Sequence, residues 1–91
     1  MKIYIAGKIT GYKGYKEKFK KAEELLESQG HVVMNPSFMK LGFEYGEYLH
    51  VCYAMIDVCD AIYMLDNWVD SPGAKKEKVY ARKNGKKVLY E

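Results

Sequence analysis

Between Asp60 and Leu65 the chain carries a near-continuous apolar run, Ala61-Ile62-Tyr63-Met64-Leu65. A run this short, with no polar alternation, reads as a strand covered on both faces, the kind found inside parallel sheets. The rest of the chain supplies what such a strand needs. Lys2 to Ala6 is a first strand of β-branched and aromatic residues closed by Gly7, and a loop with three glycines runs from there to Gly14. A helix starts at Tyr15, with Tyr15, Phe19, Ala22 and Leu26 on one face, and stops at Gln29-Gly30. His31 to Met34 is a short strand ended by Asn35-Pro36. Residues 37–45 are irregular and aromatic, and a second helix runs from about Glu47 to Val58 with the stripe Leu49, Cys52, Tyr53 and Ile56. Ser71 is a suitable N-cap for a third helix, Pro72 fits its first position, and Asn84-Gly85 ends it. Lys87 to Tyr90 is the last strand.

This β-α-β-α-β-α-β order predicts a parallel sheet with right-handed crossovers and helices on both faces. The expected architecture is one three-layer α/β domain over residues 1–91, Rossmann/flavodoxin-like, with strand order 2-1-3-4. Ligands of such sheets bind at the carboxyl ends of the strands where the order reverses. Here that point lies between the first and third strands, where the loops 7–14 and 66–73 meet.

Composition narrows the function classes. At 48% hydrophobic and 30% charged, with a net charge of +3, the chain is an ordinary soluble domain. It contains no apolar run near the roughly 20 residues that span a bilayer, and its first residues are too short an apolar stretch for a signal peptide. A cytoplasmic protein without membrane partners is expected. Its lysines cluster at 13–21 and 75–87 on what read as solvated helix faces, and there is no nucleic-acid-binding motif, so nucleic acid is not the expected partner. Cys52 and Cys59 are separated by about 10 Å along a helix axis, too far for a disulfide, and read as reduced buried thiols. His31 and His50 stand alone. No metal or redox cofactor is implied.

The chemistry-bearing residues converge on the crevice. In the third helix Ala74, Glu77 and Ala81 share one face, and small alanines there imply close approach to the sheet. A carboxylate on such a face is costly unless it has work to do, which makes Glu77 the leading catalytic candidate. The helix dipole favours its charged form, and an ionised carboxylate can attack a sugar carbon or stabilise an oxocarbenium-like centre. Gly7, Lys8, Ile9 and Gly11 form a turn able to present backbone N–H groups and a lysine to a phosphate or carboxylate, though the pattern is neither a Walker loop nor a dinucleotide fingerprint. Ser71 and Gly73 border the approach to Glu77. Asp66, at the crevice end of the third strand, is the better second carboxylate, since Asp60 opens that strand at the far end and reads as a connector. Trp68 could stack on a base or cover the pocket, or else anchor its loop on the core or form a subunit contact. Tyr4, in the first strand, needs a partner for its hydroxyl if buried.

Several of these pieces recur together: Tyr4-Ile5-Ala6-Gly7-Lys8-Ile9-Thr10-Gly11, Asn35-Pro36, Cys59-Asp60-Ala61, and Trp68-x-x-Ser71-x-Gly73-Ala74-x-x-Glu77. Across nearly its whole length the chain resembles the small bacterial and phage proteins related to nucleoside 2-deoxyribosyltransferases and 2′-deoxynucleoside 5′-phosphate N-hydrolases. The resemblance implies that Glu77 attacks C1′ of a deoxyribose and displaces the base, and that water or a second base resolves the glycosyl-enzyme. It implies Tyr4 in the active site and the 7–11 loop on the sugar or its 5′-phosphate. It also implies a homo-oligomer with a nucleoside or nucleotide substrate and no cofactor. In one place the chain departs from the pattern: Cys52 stands where the relatives carry an aspartate that assists sugar binding and catalysis.

Three readings follow. The first is an enzyme that cleaves or exchanges an N-glycosidic bond through Glu77. The second is a module of the same fold that binds a nucleotide or nucleotide-derived signal without cleaving it, for which the missing carboxylate speaks. The third is a small interaction protein using the aromatics Tyr12, Phe38, Phe43 and Tyr45.

Overall fold

The computed structural model describes all 91 residues, Met1–Glu91. Four strands, β1 (Lys2–Ala6), β2 (Val32–Met34), β3 (Ala61–Met64) and β4 (Lys87–Tyr90), form one sheet in the order β2-β1-β3-β4. Every pairing is parallel, with Tyr4 opposite Met34 on one side and Ile62 on the other. Three helices connect them: α1 (Tyr15–Ser28), α2 (Tyr45–Asp57) and α3 (Pro72–Lys83). The predicted α/β architecture and strand order are those observed. No helix is long and apolar enough to cross a membrane.

The two central strands explain the layering. Ile3, Tyr4, Ile5 and Ala6 are all buried, so β1 is covered on both faces. Because strand side chains alternate, Ile3 and Ile5 join Leu65 against Phe19, Ala22 and Leu26 of α1. Tyr4, Ala6, Ile62 and Met64 point the other way, toward Cys52 and Ile56 of α2 and Ala74 and Ala81 of α3. The sheet thus separates two cores, with α1 alone on one side.

Local chemistry sets the boundaries. Asp60 is the connector anticipated at the base of β3. Its carboxylate accepts from the Lys2 N–H at 2.9 Å, and its own N–H donates to the Lys2 carbonyl at 2.7 Å. The hydrogen bond from Lys2 holds the exposed Asp60 carboxyl below its ordinary pKa. Helix α2 starts two residues before the expected Glu47, because Glu44 and Glu47 make a reciprocal capping box, with the Glu44 N–H donating to Glu47 Oε1 at 2.8 Å. From the Asn35-Pro36 break into the stretch read as irregular, Pro36–Phe38 forms a 3₁₀ turn, capped by Asn35 Oδ1 accepting from the Ser37 N–H at 2.9 Å. A second such turn, Trp68–Asp70, leads into α3.

Two glycines give opposite predictions. A Cβ on Gly7 would lie 2.7 Å from Cδ1 and 2.9 Å from Cβ of the fully buried Leu65. Gly7→Ala should therefore cost about 1–3 kcal/mol of unfolding free energy. Gly46, in the first turn of α2, has nothing within 4 Å of such a Cβ and no left-handed φ. Gly46→Ala should add about 0.5–1 kcal/mol. Urea unfolding curves of the two variants beside the wild type check both signs.

Candidate active site

A cavity of about 350 Å³ opens at the carboxyl end of β1, lined mainly from α2 and α3 and, past the strand end, by Tyr15 and Phe19 of α1. Its floor is the stripe expected of α3. Ser71 caps that helix, its hydroxyl accepting from the Ala74 N–H at 3.1 Å, and Pro72 takes the first helical position. This phase makes Ala74, Glu77 and Ala81 the three buried residues of α3. The alanines let the helix lie against the sheet, and Glu77, only 8% exposed, is carried inward between them. There it meets Tyr4, which is fully buried in β1 and donates its hydroxyl to Glu77 Oε2 at 3.1 Å. Cys52 arrives from α2 and borders the same two side chains at the foot of the cavity.

Electrostatics follow from this enclosure. Burial raises the Glu77 carboxyl from its ordinary 4.5 to about 7, and the hydrogen bond from Tyr4 offsets only part of that rise. The helix dipole was expected to keep this group charged; desolvation outweighs it. Burial also pushes the Cys52 thiol up to about 12, with the Glu77 charge adding to the rise, so the thiol stays protonated. Tyr4 moves well upward, first by burial and then by the Glu77 charge. Among the cavity-lining residues the other charged side chains are Lys8 and Asp70. The ion pairs of the structure are both made by Lys18, so Glu77 has no cationic partner.

Of the residues singled out in the sequence, Tyr4, Gly7, Lys8, Ile9, Ser71, Gly73 and Glu77 line the cavity. Gly11, Asp66 and Trp68, expected at the crevice, do not line it. Gly11 is exposed and takes φ +76°, so the turn itself accounts for its glycine. Asp66 turns away to Lys18 of α1, whose Nζ lies 2.9 Å from its carboxylate and 3.2 Å from Glu91. Trp68 is the loop anchor allowed for above: it packs on the α2–α3 core, with Lys78 Nζ 4.3 Å from its ring centroid and Tyr90 beside it. Between them Asn67, itself outside the lining, accepts from the Lys8 N–H through its Oδ1 at 3.0 Å and ties the two crevice loops together.

The sequence reading missed the far wall. Met39, Leu41, Tyr45, Tyr48 and Leu49 face the cavity from the segment before α2 and from its first turns. The Tyr48 hydroxyl accepts from the Phe43 N–H at 3.2 Å and donates to the Lys40 carbonyl, which fixes this wall to α2. The available signal was the density of aromatic residues in 37–48. Cys52, read as core, is both core and cavity wall.

The raised carboxyl makes a stability prediction. Between pH 4.5 and about 7 the folded chain holds a proton on Glu77 that the unfolded chain has released. Stability from this group is therefore greatest below 4.5 and is lost as pH rises to about 7, a loss of roughly 3 kcal/mol. Glu77→Gln, which cannot ionise, should match the wild type near pH 4.5 and melt on the order of 10 °C higher at pH 8. Thermal melts of both proteins across this range check the crossover.

The family of the chain follows from comparison with known proteins. A family described as "Domain of unknown function (DUF4406)" matches residues 1–90. No curated protein matches the sequence. Among solved structures, a 2-desoxiribosyltransferase from Leishmania mexicana superposes with a TM-score of 0.76 at 22% identity; the match covers 98% of this chain and 62% of that one. This chain thus spans less than two thirds of that protein's length. A 2-deoxyribosyltransferase from the psychrotolerant bacterium Bacillus psychrosaccharolyticus gives 0.72 at 25% identity, covering 99% of this chain and 71% of the other. The CMP N-glycosidase BcmB of Clostridium botulinum gives 0.73 at 21%, covering 99% and 70%. Likeness at these identities is likeness of fold. The chain belongs to the DUF4406 family, and its sheet and helices are arranged as in the 2-deoxyribosyltransferases and the CMP N-glycosidase.

Proposed function

We propose that this protein cleaves or exchanges the N-glycosidic bond of a nucleoside or nucleotide, with Glu77 as the nucleophile. The observation that carries this reading is the buried Glu77 carboxylate, held by Tyr4 at the foot of a cavity of small-molecule size. The neighbouring folds include enzymes named for transfer of deoxyribosyl groups and for cleavage of CMP, which supports the same chemistry here.

In this mechanism ionised Glu77 attacks C1′ of the bound sugar. A C1′–O bond forms, the C1′–N bond breaks, and the base leaves with its electron pair and takes up a proton. Water or an incoming base then displaces Glu77 from C1′. Tyr4 orients the carboxylate. Lys8 and the Gly7–Ile9 loop, with Ser71 and Gly73 at the start of α3, hold the sugar and any 5′-phosphate. The apolar and tyrosine-rich wall of α2 covers the base. No metal or cofactor takes part.

The reading includes self-association. Phe38, Leu41, Phe43 and Tyr45 are exposed by 49% or more beside the cavity mouth, an apolar lip that a second copy of the chain would cover. A molar mass above that of one chain in light scattering is the expected result.

Incubation with a panel of nucleosides and 5′-monophosphates, ribo and deoxy, tests the activity, with free base followed by chromatography. Release of base from at least one member is expected, falling at least about a thousandfold in Glu77→Ala. A rate unaffected by that substitution would sink the nucleophile. Because attack needs the charged form, kcat/KM should rise about tenfold per pH unit below about 7 and level off above. A second reading, a nucleotide-binding protein without turnover, is favoured by the proton that burial keeps on Glu77 below pH 7. A panel member that raises the melting temperature and is recovered intact after long incubation would establish it.

A further inference from the structure

We infer that Ser37 is a ligand-binding residue: its hydroxyl is the free hydrogen-bonding group that the cavity wall offers to the base of a bound nucleoside or nucleotide. Outside the tyrosines and cysteines of the core, the chain buries two polar side chains, Glu77 and Ser37, and both line the same cavity. A hydroxyl is costly to bury without a partner. Glu77 has its partner in Tyr4, whereas no hydrogen bond within the chain uses Ser37 Oγ. No buried side-chain oxygen or nitrogen lacks a partner, so Ser37 Oγ is open to the space beside it, and the space that Ser37 borders is the cavity. The turn does not need this hydroxyl. Asn35 caps Pro36–Phe38 through the Ser37 N–H, and Asn35 Nδ2 donates to Glu23 Oε1 of α1 at 2.8 Å, which fixes the cap from outside the turn. The Met39 N–H closes the turn on the Pro36 carbonyl at 3.2 Å. Ser37 is thus held by its backbone, with the donor and acceptor capacity of its hydroxyl unspent.

Topology decides which part of a ligand this hydroxyl meets. The turn follows β2, which lies across β1 from β3, so Ser37 and the start of α3 flank the carboxyl end of β1 from opposite sides. In the function proposed above, on which this assignment rests, Lys8, Ser71 and Gly73 serve the sugar and any phosphate. The turn after β2 and the front of α2 are left for the base. The rest of that wall is Pro36, Met39, Leu41, Tyr48 and Leu49. All but Tyr48 are apolar, and the Tyr48 hydroxyl is already engaged with the Phe43 N–H and the Lys40 carbonyl. The Tyr45 hydroxyl belongs to the opposite side, 3.5 Å from where a Cβ on Gly73 would stand. A base seated here therefore gains apolar contact from the wall and one directional bond from Ser37. Apolar contact alone separates bases of similar shape weakly, so the polar atom opposite Ser37 is what this wall reads.

Calorimetric titration tests this in a Glu77→Gln background, which prevents turnover, with and without Ser37→Ala. The probes are the nucleosides and 5′-monophosphates of the panel, compared in sets that share one sugar and differ in the base. Ser37→Ala should weaken the best-bound member about tenfold, the size of one lost hydrogen bond, and narrow the spread of affinities within its set by a similar factor. Affinities that stay put overturn the inference. So does an equal loss for every base, which would put the hydroxyl on the sugar. Thermal melting without ligand separates recognition from scaffolding. Ser37→Ala should melt within about 2 °C of its parent or higher, because the hydroxyl has no protein partner to lose. A drop of about 5 °C or more, or a failure to fold, makes the hydroxyl structural and overturns the inference. The proposed reaction can fail separately. Base-dependent weakening by Ser37→Ala, in a protein whose wild type releases no base, keeps the contact and removes the reaction. Base release that is lost in Glu77→Ala, with affinities indifferent to Ser37→Ala, keeps the reaction and removes the contact. A protein that binds no member of the panel loses both.

Discussion

The structure turns on a carboxylate taken out of water. Glu77 sits between two alanines on the inner face of α3, and this placement requires the helix to lie close to the sheet, a donor to be ready in the strand beneath, and a cavity to open above. Ala74 and Ala81 meet the first requirement, Tyr4 the second, and the gap between the start of α3 and the front of α2 the third. An acid buried without a cation is expensive to ionise, which is why its proton stays on until about pH 7. The same expense makes the site reactive. A carboxylate with one uncharged donor and little water is poorly stabilised as an anion, and so is readier to form a bond to an electron-poor carbon than one paired to an arginine.

Around this centre, side chains spend their hydrogen bonds on holding loops. Asn67 locks the turn after β1 to the turn after β3 through the Lys8 N–H. Lys18 bridges Asp66 and Glu91, and the Glu91 carboxylate also accepts from the Asp66 N–H at 2.8 Å, joining α1, the exit of β3 and the end of the chain. The bond from Asp66 raises the pKa of Lys18, which stays charged. These contacts tie the crevice loops to α1, to each other and to the end of the chain.

The fold was largely legible because its signals are local. The apolar run of β3, the Gly30 and Gly85 stops, the Asn35-Pro36 break and the Ser71-Pro72 start each act through a few neighbouring residues. Errors arose where distant partners decide. Asp66 and Asn67 are adjacent and both polar, and nothing local tells which one joins the crevice loops; Lys18, far off in α1, takes Asp66 and leaves Asn67 for the Lys8 N–H. Trp68 lies in the expected loop, but Lys78 and Tyr90 hold its ring away from the cavity. The tyrosine-rich wall was hidden for the same reason, since Tyr48 and Leu49 become lining residues only when α2 docks beside α3.

The sequence by itself determined the order of strands and helices, the doubly covered central strands, and the phase of α3 that turns Glu77 inward, since each depends on periodicity and capping within a short stretch. Tertiary structure alone decided which side chains share the cavity with Glu77 and how strongly they hold its charge. Tyr4 and Cys52 lie 73 and 25 positions away in the chain, and only the closing of β1, α2 and α3 around one point puts a phenol and a thiol beside a carboxylate. Burial, which no local pattern measures, then determines whether that carboxylate carries a proton at neutral pH.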